Sequence, residues 1–325
     1  MPPQGNARML TDKSQDTPLR LARSGGTSAI ISTAMHGWRV HLLLFLACVA
    51  FTASCRRESG SQVPDRPRLT PNVNLQDVTF RSAALGRNIR YRVISPVPPP
   101  RQRLPVVYLL HGAGGGYRDW SNYSDVAKYA ESGLLLIMPE GESSYYTNAV
   151  DPPNDRFEDY ITQDLITEVE TRLPAATGRA NRAIVGISMG GFGAIKIGLR
   201  HPDLFIFAAG ISSAIDVPRR GFSIKRLQQS RHYNSIFGRA DSQTRRQNDP
   251  FNLVRTANPE TAPYFFLTCG EQEGLLPANR EFAALLEERH FHHEFHTIPG
   301  SHDWSQWNRW LPVVFRSLSE HLKIK

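Results

Sequence analysis

Cysteine is scarce in this chain. Three residues of 325, Cys48, Cys55 and Cys269, cannot build a disulfide framework, so stability has to come from a packed core. Long apolar runs are missing too. The longest, from Val40 to Phe51, falls short of the roughly 18 residues that a membrane-spanning helix needs. No unit recurs at the period of a solenoid or a propeller, and no nucleic-acid-binding motif is present. Acidic residues are only slightly outnumbered, for a formal charge of +8 that falls to +5 once residues 1–54 are set aside. That excess does not call for a nucleic-acid partner. What remains is an ordinary globular composition, 40% apolar, long enough for one large domain or two small ones.

The first 55 residues differ from the rest. Residues 1–34 are polar, rich in Gly and Ser and without periodicity, and are expected to be disordered or to precede the true start at Met35. "MHGWRVHLLLFLACVAFTASC" (35–55) has the charged flank, short apolar stretch and small residues of a secretory signal. Thr52-Ala53-Ser54-Cys55 resembles a bacterial lipobox, with Thr52 where Leu is usual. Two outcomes stay open, a membrane anchor through lipidated Cys55 or cleavage without lipid. Both export the body. Residues 56–74, rich in Arg, Pro and Ser, are expected to form a tether.

From 75 onward the pattern is regular. Residues 75–94 alternate as a hairpin around Leu85-Gly86-Arg87-Asn88. Continuous apolar runs at 104–112, 133–141, 182–188, 204–212 and 263–270, with a last strand at 291–298, have the character of strands buried on both faces. Helical periodicity falls between them at 122–131, 156–173, 190–200 and 277–289. Strands alternating with helices predict an α/β protein, a mostly parallel sheet with helices on both faces. Ligands of such sheets bind beyond the carboxyl ends of the strands.

One of those ends carries Gly186-Ile187-Ser188-Met189-Gly190 between a strand and a helix. This is the nucleophile elbow of the α/β-hydrolase fold, in which glycines relieve a strained turn that lifts a serine hydroxyl clear of the sheet. Ser188 is the candidate nucleophile. The base and acid follow in the order serine, acid, histidine. "IPGSHDWSQW" supplies His302 as base. After the strand ending at Gly270 come Glu271 and Glu273; Glu273, further round the loop, is preferred, with Glu271 and Asp216 as alternatives. The oxyanion donors are assigned to the backbone N–H groups of Ala113, in the loop after "LLHG", and Met189. The run "HFHHEFH" (290–296) is better taken as a solvated edge strand than a metal site, because His292 and His296 share a face that His293 leaves. His201 lies at a helix end. No cofactor and no metal are implied.

Together "LLHGAGG…DW", "MPEGESSYYTN", "IVGISMGGFGAIKIGLRHPDLF", "CGEQEGLL" and "GSHDWSQW" resemble the esterase family of S-formylglutathione hydrolases, tributyrin esterases, feruloyl esterases and mycolyltransferases. The resemblance spans about residues 76–322. It implies a serine carboxylesterase acting on a small-molecule ester, with Ser188, His302, Ala113 and Met189 in the roles above. It also supports Glu273, although the family usually has Asp there. "SSYYTN" points towards the small-ester carboxylesterases. The alternatives are an acyltransferase of mycolyltransferase type using the same residues, and an inactive binding module on the same fold. Residues 217–248, the expected cap, hold eight Lys/Arg against Asp241 alone. They are either a solvated loop or a funnel for anionic esters or an anionic membrane surface. Nothing in the sequence sets the oligomeric state.

Overall fold

The computed structural model describes residues 64–99 and 101–322. The expectations for residues 1–34, 35–55 and the first part of the tether lie outside the described residues. Within the tether segment, Arg68 N–H donates to Ser121 O (2.7 Å) and Arg66 N–H to Asn122 Oδ1 (3.2 Å). Asp65 takes both terminal nitrogens of the buried Arg92 (2.9 and 2.7 Å). Asp77 accepts from the same guanidinium at 2.6 and 2.9 Å. Residues 65–68 are therefore fastened to the body.

Eight strands form one sheet in the order β1-β2-β4-β3-β5-β6-β7-β8. β1 (Val73–Ser82) and β2 (Arg87–Pro96) are the expected hairpin, and both β1–β2 and β2–β4 pair antiparallel. β3 (Val106–Leu110), β4 (Leu135–Pro139), β5 (Arg182–Ile187), β6 (Phe207–Ile211), β7 (Tyr264–Gly270) and β8 (His293–Ile298) are parallel. Because side chains alternate across a strand, each central run splits between two cores. Val106, Tyr108 and Leu110 join Phe192, Ile195 and Phe282 on one face. Val107 and Leu109 join Trp310, Leu311 and Phe315 on the other. Helices cover both faces, as the unbroken apolar runs require.

The helices are α1 (Asp119–Tyr123), α2 (Ala127–Ala130), α3 (Phe157–Asp159), α4 (Ile166–Arg172) and α5 (Met189–Arg200). In the cap and beyond lie α6 (Leu227–Phe237), α7 (Gln243–Gln247), α8 (Pro250–Thr256), α9 (Leu276–Glu288) and α10 (Trp304–His321). Two expectations shift. The single helix expected at 122–131 is α1 and α2, parted where Ser124 turns extended and its hydroxyl donates to Trp120 O. The helix expected at 156–173 contains a π-helical turn, Tyr160–Leu165, between α3 and α4.

A buried ion pair ties α5 to the segment after β4. Lys196 Nζ, fully buried, donates to Glu158 Oε2 (2.8 Å), Tyr146 O (2.7 Å) and Thr147 Oγ1 (2.8 Å). Glu158 also meets Arg200 (2.8 Å) and His201 (2.9 Å). Burial opposes its ionisation, but Lys196, His201 and Arg200 outweigh burial and hold the carboxyl well below the usual carboxylate range. Glu158→Ala leaves Lys196 buried without a counter-charge and is expected to cost about 3–5 kcal/mol at neutral pH, read from urea unfolding. A depressed carboxylate contributes stability above its unfolded value of about 4.3, and the contribution fades as pH falls towards its folded value. The gap between wild type and variant should therefore narrow in acid; a gap independent of pH would refute the ion-pair account.

Candidate active site

Sheet register assembles the site. β3 and β5 are hydrogen-bonded neighbours with Leu110 opposite Gly186, so the loops after them emerge side by side. β4 lies on one side of β3 and β5 on the other, which makes their junction a topological switch point where a crevice opens. Ile187 pairs with Ile211 and Gly270 with Ile298. The chain after each strand thus delivers Ser188, Ser212, Glu273 and His302 to one edge.

Ser188 sits at φ 53°, ψ −114°, a conformation that non-glycine residues rarely hold. It persists because the surroundings fix it. Ser188 N–H donates to Ile211 O (2.9 Å), and its carbonyl accepts from Phe192 and Ala214 N–H (3.1 Å each). The flanking glycines have no room for a side chain. A Cβ at Gly186 would stand 2.1 Å from the Gly190 carbonyl carbon, and one at Gly190 would stand 2.2 Å from Leu110 O. β3, β5 and α5 touch backbone to backbone here.

Ser188 Oγ–H donates to His302 Nε2 at 2.9 Å, and His302 Nδ1–H to Glu273 Oε2 at 2.7 Å. The Glu273 side chain is 1% exposed and that of His302 39%, so the acid is sealed while the imidazole reaches the surface. Glu273 Oε1 accepts from Ser212 Oγ (2.6 Å), Gly270 N–H (2.9 Å) and Gln306 Nε2 (3.1 Å). Burial pushes this carboxyl up, but the hydrogen bonds from His302, Ser212 and Gly270 prevail and hold it below its ordinary value. It is therefore ionised at neutral pH. Glu271 is exposed at the surface, and Asp216 pairs with Arg220 (2.7 Å). Neither approaches His302 in the hydrogen-bond network.

Three supporting residues escape the sequence reading: Ser212, Gln306 and Trp307. Trp307 Nε1 donates to Ser212 Oγ (3.1 Å) and sets its ring edge-on to His302 at 5.0 Å. The signal was present in "HDWSQW", where Asp303 caps α10 by accepting from Gln306 N–H (3.1 Å). A helix starting there places Gln306 and Trp307 on its first turn, next to His302.

Ala113 and Met189 lie beside Ser188; a Cβ at Gly112 would be 3.5 Å from Ser188 Cβ, and Met189 opens α5. Among the described residues neither backbone N–H has a protein acceptor. His111 orients the first of them. Its Nε2 accepts from Gly141 N–H (2.8 Å), which leaves the proton on Nδ1 to donate to Gly112 O (2.8 Å). Carbonyl and N–H of a trans peptide point opposite ways, so drawing Gly112 O to the imidazole turns Ala113 N–H away from it. Tyr146 hydroxyl holds His111 O (3.1 Å). Two of the other histidines are held by carboxylates. His201 bonds Glu158, and His296 on edge strand β8 bonds Glu294 (2.8 Å). No cluster of metal-ligating side chains occurs among the described residues.

A strand–serine–helix elbow backed by histidine and carboxylate on this sheet defines an α/β-hydrolase of the serine hydrolase class. Residues 82–318 match the family described as putative esterase, and the chain belongs to that family. An acetyl esterase of Caldicellulosiruptor saccharolyticus is 25% identical over 262 residues, covering 76% of this chain and 98% of that one. A diacylglycerol acyltransferase/mycolyltransferase of Mycobacterium avium is 28% identical over 202 residues, 59% of each chain. Among solved structures, a fluorophosphonate-binding serine hydrolase of Staphylococcus aureus has TM-score 0.65 at 23% identity, covering 77% of this chain and 99% of that one. An S-formylglutathione hydrolase from Agrobacterium tumefaciens has TM-score 0.67 at 18% identity, with 80% and 98% covered. The structural likenesses establish the α/β-hydrolase fold, and the family and these relatives support an esterase or acyltransferase activity.

Gly190→Ala drives a methyl into the Leu110 carbonyl, and β3 or α5 must shift. The expected cost is about 1–3 kcal/mol in stability, with loss of ester turnover out of proportion to it. Unchanged melting and turnover would show that the elbow relaxes freely.

Proposed function

We propose that the chain is a carboxylesterase that hydrolyses small carboxylic esters through a Ser188 acyl-enzyme. The observation that carries this reading is the unbroken chain Ser188 Oγ–His302 Nε2 and His302 Nδ1–Glu273. Ser188 Oγ attacks the ester carbonyl as its proton passes to His302 Nε2, and Glu273 stabilises the imidazolium. The carbonyl oxygen becomes an oxyanion that accepts from Ala113 and Met189 N–H, with the N-terminus of α5 behind it. The tetrahedral species collapses, its C–O bond breaks, and the alcohol leaves with the proton from His302. Water attacks the acyl carbon by the same steps, releasing the acid and restoring Ser188. No metal or cofactor enters. The intact hydrogen-bond chain weighs against an inactive binding module.

Ser188→Ala and His302→Ala should each lower p-nitrophenyl acetate turnover by about four orders of magnitude, and Ser188→Ala should abolish labelling by a fluorophosphonate. Glu273→Gln should cost less, since the acid takes no proton. Substantial turnover in the Ser188 or His302 variant would remove the mechanism. Esterified product in the presence of an acceptor alcohol, at the expense of free acid, would reassign the enzyme as an acyltransferase.

Export is a second proposal, supported by the sequence of residues 35–55 alone. The full chain made in a bacterium should partition with membranes and be released by Cys55→Ala. A soluble wild-type product beginning after Ala53 or Ser54 would replace the anchor with simple secretion.

A further inference from the structure

The eight cations of the cap do not act alike. Arg219 lies over the Phe251 ring (4.0 Å) and pairs with Glu281 (2.9 Å), and Arg220 pairs with Asp216. Arg245 is buried, donating to the carbonyls of Gly238, Pro218 and Arg220 and to Asn234 Oδ1. Arg246 donates to Asp241 O. Lys225, Arg226, Arg231 and Arg239 are exposed, and among the described residues their side chains have no hydrogen-bond or ion-pair partner.

Next to them stand the two most exposed large apolar side chains among the described residues, Phe222 (59%) and Ile224 (82%). Ser223, between them, is braced inward: its N–H donates to Ser230 Oγ (3.0 Å), and Ser230 Oγ–H donates to its carbonyl (3.3 Å). The brace holds the tip of the loop against α6. A cavity of about 450 Å³ opens beside it, lined by Arg220, Ser223, Lys225, Arg226, Gln229 and Tyr233.

We infer that the cap tip, Gly221–Arg231, is a peripheral docking site for an anionic bilayer surface. An aromatic and an aliphatic side chain supply the apolar insertion, and adjacent unpaired cations meet the negative headgroup layer, with room for one headgroup in the cavity. Charge complementarity selects the occupant, since the tip presents free cations, has no acid of its own and would leave Phe222 and Ile224 in water. The chain enters the cap from the carboxyl end of β6, the sheet edge that also carries Ser188, so a docked molecule turns that edge towards the bilayer.

The test uses the full chain, co-sedimented at physiological salt with vesicles of phosphatidylcholine alone or mixed with phosphatidylglycerol. Phe222→Ser/Ile224→Ser and Lys225→Gln/Arg226→Gln/Arg231→Gln should each lower, at least tenfold, the excess of partitioning onto the anionic vesicles over the neutral ones. Partitioning onto neutral vesicles should not differ between variants and wild type. Turnover of soluble p-nitrophenyl acetate should be unchanged, which keeps the result separate from the catalytic proposal. Variants that bind anionic vesicles as wild type does would overturn the inference. So would release of the wild type by millimolar inorganic phosphate at constant ionic strength, which would make the cavity a site for free phosphate.

Discussion

The backbone contact of three elements at the elbow is the constraint on which the rest depends. β5 ends against β3, α5 starts over both, and Gly186 and Gly190 pass so close that a methyl on either would overlap carbonyl groups. This proximity holds Ser188 in its strained conformation. It also puts the first turn of α5 and the loop after β3 beside one hydroxyl. Strain, hydroxyl exposure and the position of the two unpaired N–H groups follow from one packing event.

Around that point, polarity is graded. Glu273 is sealed in a nest of donors, His302 bridges inside and outside, and Ser188 faces the crevice. A carboxylate so enclosed stays charged only because every oxygen is satisfied. The hydrogen bonds from His302, Ser212 and Gly270 N–H are what keep it ionised. His111 performs a comparable service on the other side, spending both ring nitrogens on backbone groups that fix one peptide plane. Lys196 and Glu158 anchor the turn whose Tyr146 hydroxyl reaches the same loop.

Net charge taken from composition hides this division of labour. Of the cations in the cap, Arg219 and Arg220 are paired with carboxylates and Arg245 is buried, while the exposed Lys225, Arg226, Arg231, Arg239 and Arg246 present a field to the outside. A charge run can thus be both structural mortar and an outward-facing surface, in proportions that only partner distances reveal.

The strands, the parallel sheet and the elbow were legible in the chain because each leaves a local signature. Buried strands need unbroken apolar runs, and the turn at Ser188 tolerates only glycine two residues away on either side. The order of Ser188, Glu273 and His302 was legible for the same reason, since each follows a recognisable strand. Helix breaks were not, because Ser124 and the π turn at 160–165 interrupt the periodicity without Gly or Pro to announce it. The choice of Glu273 over Glu271 belongs to tertiary structure, since two residues of loop decide which carboxylate points inward. Ser212, Gln306, Trp307 and the tautomer of His111 belong there too. The partners that fix them, Glu273 for Ser212 and Gln306, Ser212 for Trp307 and Gly141 for His111, lie 30 or more residues away in the chain, and sheet register brings them within hydrogen-bond reach.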